Sequence, residues 1–197
     1  MDNLVDYIRV YDEVLDIDTC TDLIELFDRN EVDEINKHLY RLSSHQWVED
    51  YRRFTEADIT AIEAFKPYVM PLYACVGTVY DWYERDCGKF FPQDRRFESL
   101  RMKRYDNNDK DQFGWHVDVG DHSSARRYLV MFFYLNEVRG GETVFEFNNE
   151  YSKMTHFTVN PKPGRIVVFP PMWMFPHKGM KPIGGPKYII STYAHYK

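Results

Sequence analysis

From about Phe97 to the C-terminus the chain alternates short β-favouring runs with turn residues, and no helical periodicity interrupts them. Strands are expected at Ser99–Tyr105, Trp115–Val119, Tyr128–Asn136, Glu142–Phe147, His156–Val159, Arg165–Pro170 and Lys187–Tyr196. Strands without intervening helices pair antiparallel, so a sandwich or barrel is expected rather than β-α-β units. Before that region helix signals dominate. After a short strand at Arg9–Leu15, Leu23, Ile24 and Phe27 follow at helical spacing behind Asp18 or Thr19 as a cap. Thr55–Asp58, "TEAD", resembles a capping box opening a long helix through Trp82, with Pro67 and Pro71 expected to kink or break it. The expectation is one domain spanning 1–197, with helical support over about 17–88 and a β core over about 97–197.

Composition narrows the partners. A net charge of −6 argues against nucleic-acid backbones and anionic membranes, which select basic surfaces. The start "MDNLVDYIRV" has neither a cationic nor an apolar leader segment, and no apolar run reaches spanning length. A cytoplasmic address is therefore expected. Cys20, Cys75 and Cys87 are odd in number and lack close-paired spacing, so reduced thiols are expected. Nothing in the sequence reads out an oligomeric state.

The chemistry-bearing stretch is "GWHVDVG", Gly114–Gly120. On a strand, His116 and Asp118 share one face while Trp115, Val117 and Val119 take the other. A second histidine, His177, follows an apolar strand and the Pro-rich turn of "FPPMWMFPHKG". Two histidines and a carboxylate are the donor set that holds non-haem Fe(II) with open coordination positions; zinc accepts the same ligands. Facing walls of a barrel would bring the distant His177 to the pair. Lys187 opens "KYIISTYAHY" and shares a face with Ile189, Ser191 and Tyr193. If it points inward its ammonium needs an anion, because an unpaired buried charge is costly. Thr143 shares a face with Phe145 and Phe147, and a dicarboxylate between Thr143, Lys187 and a phenol such as Tyr134 would satisfy all three. A zinc hydrolase would leave Lys187 unexplained. The polar loop Asp106–Gly114 is expected to be solvated, a mobile cover being the rarer alternative.

At these residues the chain resembles the prolyl 4-hydroxylase-like branch of the Fe(II)/2-oxoglutarate dioxygenases. "HVD", "YLNEVRGGETVF", "PKPGRIVVFP" and "PHKGMKPIGGPKYIISTY" occur in family order across Arg101–Tyr193, and "VLDIDTCTDLIELF" resembles the start of such domains. The resemblance implies a mainly β fold with N-terminal helices, a double-stranded β-helix or distorted jelly roll buttressed by α-helices. It implies His116, Asp118 and His177 as iron ligands and Lys187 as the partner of the distal carboxylate of 2-oxoglutarate. Tyr105, Thr143 and Tyr134 match positions at the co-substrate, and Phe132, Tyr134, Phe145 and Phe169 would wall the site. The implied reaction consumes O₂ and 2-oxoglutarate, with ascorbate as a candidate reductant, releases succinate and CO₂, and hydroxylates an unactivated C–H bond. A prolyl residue in a peptide or protein is the leading substrate, received by the loops Gly120–Arg127 and Phe147–Thr155, with Arg126 and Arg127 as candidate contacts. A free amino acid or other small-molecule hydroxylase would use the same site. A non-enzymatic jelly-roll binding module is the alternative of a different class, though it has no use for the full triad with Lys187.

Overall fold

The computed structural model describes residues 3–29, 38–39, 52–88, 90–93, 95–149 and 152–197. Its strands are β1 (Arg9–Tyr11), β2 (His38–Leu39), β3 (Arg52–Arg53), β4 (Thr55–Asp58), β5 (Arg96–Phe97), β6 (Arg101–Tyr105), β7 (Gln112–His116) and β8 (Arg127–Tyr134). Then follow β9 (Arg139–Gly140), β10 (Thr143–Asn149), β11 (Ser152–Val159), β12 (Ile166–Phe169), β13 (His177–Gly179), β14 (Pro182–Ile183) and β15 (Lys187–His195). An eight-stranded sheet runs in the order β1-β12-β8-β15-β6-β4-β2, with β5 also on β15; a five-stranded sheet runs β11-β10-β13-β7-β3. The described pairings are antiparallel, and with the helices they give the helix-buttressed jelly roll expected above.

Alternation along the strands of the large sheet builds two cores. Leu129, Met131 and Phe133 of β8 and Tyr188, Ile190 and Ala194 of β15 pack in one cluster with Leu23 and Phe27 of helix α1 (Ile17–Asp28) and Val76, Val79 and Tyr83 of helix α2 (Lys66–Cys87). Val130, Phe132 and Tyr134 of β8 and Ile189 of β15 turn inward to join Phe145, Phe169 and Phe175 in a second cluster. The pocket described below opens on this inner side. One sharp turn is conformationally demanding: Gly164, at φ +74°, precedes β12 and would place a Cβ 2.1 Å from the Leu15 carbonyl oxygen, a distance that only glycine avoids.

Several local expectations change. Thr55–Asp58 is a strand, because Glu56 faces Lys103 and Ala57 faces Met102 across β4 and β6, and this pairing outweighs the capping signal. Asp58 still caps, but a 3-10 turn: its carboxylate accepts from Thr60 N at 3.1 Å. Helix α2 starts only at Lys66, with Pro67 in its first turn where no intrahelical donor is lost, and it continues through Pro71 unbroken. Helix α1 is capped by Asp16, whose Oδ1 accepts from Thr19 N at 2.7 Å, rather than by Asp18 or Thr19. The first strand stops at Tyr11, short of Leu15. Cys20, Cys75 and Cys87 are free thiols.

Candidate metal and co-substrate site

The site begins where β7 ends. The strand stops at His116, two residues before Asp118, so the two do not share one regular strand face as expected. Asp118 is instead held by its backbone, its N–H and that of Val119 donating to Pro171 O at 3.2 and 3.1 Å. The "FPP" turn after β12 thus orients the carboxylate. His177 opens β13, which is hydrogen-bonded to β7 with His177 directly opposite His116. The two histidines are therefore neighbours in one sheet rather than residues of facing walls. Their rings lie 4.1 Å apart.

Three features of this triad fit a cation. One ligand atom from each of His116, Asp118 and His177 lies within 4.8 Å of the others. His116 Nδ1 donates to Gly114 O at 2.7 Å and His177 Nδ1 to Phe175 O at 3.0 Å, since a carbonyl can only accept. In the neutral rings this leaves both Nε2 lone pairs facing Asp118, at 3.6 Å from its two oxygens. Among the described residues Asp118 Oδ2 has no hydrogen-bond donor although it is buried, while Oδ1 accepts from Tyr193 O–H at 3.0 Å. Lone pairs converging on a buried, half-satisfied carboxylate repel one another unless a cation sits between them. Burial pulls the His177 pKa down to about 4, with His116 adding to the effect, so its ring is neutral and able to ligate near neutral pH. For Asp118, burial pushes upward but His177 and then His116 prevail and hold it below the usual carboxylate range.

A pocket leads from the triad to Lys187, lined also by Tyr105 and Thr143. Lys187 is 2% exposed and stands opposite Tyr105 in the β6/β15 register. Its Nζ lies 4.9 Å from the centroid of Tyr105 and 5.6 Å from that of Tyr134. Gly141, at φ +72°, leaves room for the stem, since a Cβ there would come within 2.9 Å of Lys187 Cδ. Among the described residues no carboxylate pairs with this ammonium, and burial lowers its pKa to about 7, with Glu142 offsetting only part of the cost. Thr143 Oγ1 and Tyr134 Oη are 2.6 Å apart, and Tyr134 Oη also donates to Val159 O at 3.2 Å. Tyr134 accordingly buttresses Thr143 from behind rather than lining the pocket.

Of the expected aromatic wall, Phe132 and Phe169 line the pocket; Phe145 packs behind against Phe169 at 4.7 Å and His177 at 5.6 Å. Arg126 is exposed, whereas Arg127 is half-buried, its Nε and Nη2 donating to the two carboxylate oxygens of Glu98 at 2.7 and 2.8 Å. Of the segment 147–155, residues 147–149 belong to β10 and 152–155 to β11, so its described residues are strand where a loop was expected, and 150 and 151 lie outside the described residues. The 106–111 turn is tied down, with Asp111 buried and accepting from Asp106 N at 2.9 Å and Asn108 Nδ2 at 3.0 Å and pairing with Arg53 at 3.2 Å. The sequence places Ser191 and Tyr193 on the face of Lys187 without giving them a role and gives no sign of Lys103 beyond its parity with Tyr105; all three line the pocket.

Residues 100–195 match the family model described as the 2OG-Fe(II) oxygenase superfamily. No curated protein sequence is significantly similar to this chain. Among solved structures, a prolyl hydroxylase from Trichoplax adhaerens, in complex with a peptide fragment of the oxygen degradation domain of hypoxia inducible factor, is similar with a TM-score of 0.74 at 16% identity, over 96% of this chain and 84% of that one. A Pseudomonas putida prolyl-4-hydroxylase is similar with a TM-score of 0.68 at 17% identity, over 97% and 93%. The non-heme alpha ketoglutarate dependent epimerase SnoN from nogalamycin biosynthesis is also similar, with a TM-score of 0.68 at 12% identity, over 96% and 78%. At these identities the likeness shows a shared fold, and the epimerase shows that the fold hosts more than one reaction.

Proposed function

We propose that this chain, whose residues 100–195 match the 2OG-Fe(II) oxygenase superfamily model, binds Fe(II) through His116, Asp118 and His177 and 2-oxoglutarate through Lys187, Thr143 and Tyr105, and hydroxylates a prolyl residue in a peptide. The observation that carries the reading is the pairing of two unmet needs in one pocket. Among the described residues no cation meets Asp118 Oδ2 and the two Nε2 lone pairs, and no carboxylate pairs with Lys187. A divalent metal with a dicarboxylate chelated to it answers both. When bound, Fe(II), 2-oxoglutarate and O₂ supply the oxidising power for C–H hydroxylation, with succinate and CO₂ released.

The chain's own residues do the positioning. Tyr193 holds Oδ1 of Asp118 and so presents Oδ2 to the metal. The Gly114 and Phe175 carbonyls lock both imidazoles in the ligating tautomer. Lys187, in a cleft made by Gly141, orients the far carboxylate, and Phe113, Phe132 and Phe169 keep water from the reacting centre. A peptidyl-prolyl substrate is supported by the fold shared with the two prolyl hydroxylases, one of them bound to a peptide. No helix among the described residues is long and apolar enough to cross a membrane, and the free thiols accord with a reducing, cytoplasmic compartment. A core continuous from α1 and α2 to β8 and β15 supports a single domain.

The test is mass spectrometry of a proline-containing peptide panel beside free proline, incubated with Fe(II), 2-oxoglutarate and O₂. A gain of one oxygen on a prolyl residue, stoichiometric with succinate, is expected. Iron-dependent succinate release with oxidation confined to a free amino acid would replace the peptide by that substrate, and no succinate under any condition would overturn the reading.

A further inference from the structure

The inner face of β15 runs Lys187, Ile189, Ser191, Tyr193, and Ser191 is the polar residue on it that has no part in the proposed site. At a strand rise of about 3.3 Å per residue it lies about 13 Å along the backbone from Lys187 and about 7 Å from Tyr193. One end of that row carries the ammonium proposed for the far carboxylate, and the other carries the hydroxyl that holds Asp118. Ser191 therefore belongs to the triad end of the pocket that it lines.

Ser191 is 4% exposed, and its Oγ accepts from Lys103 Nζ at 3.1 Å. An ammonium can only donate, so this bond leaves the Ser191 proton to go elsewhere. Among the described residues no acceptor receives it. A buried hydroxyl proton without an acceptor costs free energy, and a ligand in the pocket would relieve that cost. Lys103, on β6, is itself buried and already paired: its Nζ stands 3.5 Å from Glu56 Oε2, while Glu56 Oε1 accepts from Arg101 at 3.0 Å. Burial works against the charge on this amine, and Glu56 is the first of the groups that sustain it. Its effect on the pocket is to occupy a lone pair of the serine and so fix the direction of the remaining proton.

We propose that Ser191 is a further co-substrate contact, its hydroxyl donating to the metal-chelating end of 2-oxoglutarate, opposite the end that Lys187 holds, and that Lys103 is a positioning residue acting through Ser191. The proposal rests on the oxygenase reading and deepens it. Lys187 recognises the second carboxylate, whereas Ser191 acts on the oxo-acid group. That group carries negative charge, and a hydrogen bond to a charged acceptor is stronger than one between neutral partners.

Anaerobic calorimetry of 2-oxoglutarate on the Mn(II)-loaded protein, beside the visible band of the Fe(II)-loaded protein with 2-oxoglutarate, tests this without turnover. A wild type that binds no 2-oxoglutarate would overturn the oxygenase reading and the proposal with it; every other outcome bears on Ser191 alone. Ser191→Ala removes a single oxygen, and it is expected to lower the affinity about tenfold or more. It should also move the band to shorter wavelength, because losing the donor raises the acceptor orbital of the oxo acid. Lys187→Ala should lower the affinity and leave the band of the saturated complex in place. Ser191→Thr keeps the hydroxyl and should restore both readouts, which a purely structural role for Ser191 would not produce. Lys103→Met should lower the affinity about threefold in the wild-type background and add nothing to Ser191→Ala, since it acts through the hydroxyl. If Lys103→Met does not fold, the Ser191 variants carry the test. An unchanged affinity and band in Ser191→Ala, a lowered affinity with an unmoved band, or losses that multiply in the folded double variant would each overturn the proposal.

Discussion

The two faces of strand β15 face different solvents and carry different kinds of residue. Toward the helices it presents Tyr188, Ile190 and Ala194, packed among Leu23, Phe27, Val76 and Val79 in an apolar cluster. Toward the cavity it presents Ile189 among three polar groups that burial penalises, Lys187, Ser191 and Tyr193. The first face follows the rule that strands bury hydrophobes, and its energy is that of packing. The second departs from that rule, and a buried lysine with a lowered pKa makes the fold less stable than an apolar residue of the same shape would. Departures of this kind concentrate where a ligand completes the site. The comparison teaches that one strand can divide its sides between holding the molecule together and holding what the molecule binds.

Substitutions on the two faces should therefore separate stability from chemistry. The largest effect is expected at the triad: His177→Ala should lower succinate formation by about a thousandfold or more while the melting temperature of the metal-free protein changes by only a few degrees, read by thermal denaturation beside a succinate assay. The converse is Phe133→Ala on the helix side of β8, which should cost about 3–5 kcal/mol of stability in denaturant unfolding and leave the kinetics of the folded fraction near those of wild type. Catalytic loss from Phe133→Ala without loss of stability would erase the distinction between the faces.

Lys187 sharpens it further. Truncating one partner of a desolvated ion pair costs about 2–5 kcal/mol, so Lys187→Ala should raise the 2-oxoglutarate KM by roughly 30-fold to several thousandfold with Fe(II) binding nearly unchanged. In the empty protein the same lysine gives a pH signature. Its folded pKa of about 7 lies below the unfolded 10.5, so between these values the unfolded chain holds a proton that the folded chain has lost, and stability should rise with pH across that window. Lys187→Met should remove the slope, and a bound dicarboxylate should flatten it by keeping the ammonium charged. Unfolding measured at a series of pH values, with and without 2-oxoglutarate, reads both. Tyr193→Phe is the mildest change: it deletes the O–H that holds Asp118 Oδ1 and should weaken Fe(II) binding by about tenfold, with little effect on the 2-oxoglutarate KM.

What was legible in the sequence follows from the same two faces. Period-two alternation predicts strands wherever one side is apolar, and β8, β12 and β15 appear within a residue or two of their expected bounds. It also places Lys187 with Ser191 and Tyr193, because parity survives along a regular strand. It does not reach Asp118, whose position depends on two backbone bonds to Pro171, far along the chain. It does not foresee that His116 and His177 pair across adjacent strands, since β13 has only three residues and follows a Pro-rich turn. Thr55–Asp58 misleads for the complementary reason: a local cap signal is weaker than a ladder formed with β6 about fifty residues away in the chain. Lys103 was overlooked because a lysine in a strand is ordinarily solvated, and only its register with Glu56 shows that it is not.

The central claim is that the inner face joins a metal ion and a chelating dicarboxylate in one pocket. Its most direct test is an anaerobic titration of 2-oxoglutarate into the Fe(II)-loaded protein, followed by visible spectroscopy, because chelation of the metal by the 2-oxo acid produces a weak charge-transfer band. The band should grow to saturation in wild type, require a much higher 2-oxoglutarate concentration in Lys187→Ala, and be absent in His177→Ala. A folded, Fe(II)-binding wild-type protein that develops no band at any 2-oxoglutarate concentration would contradict the account.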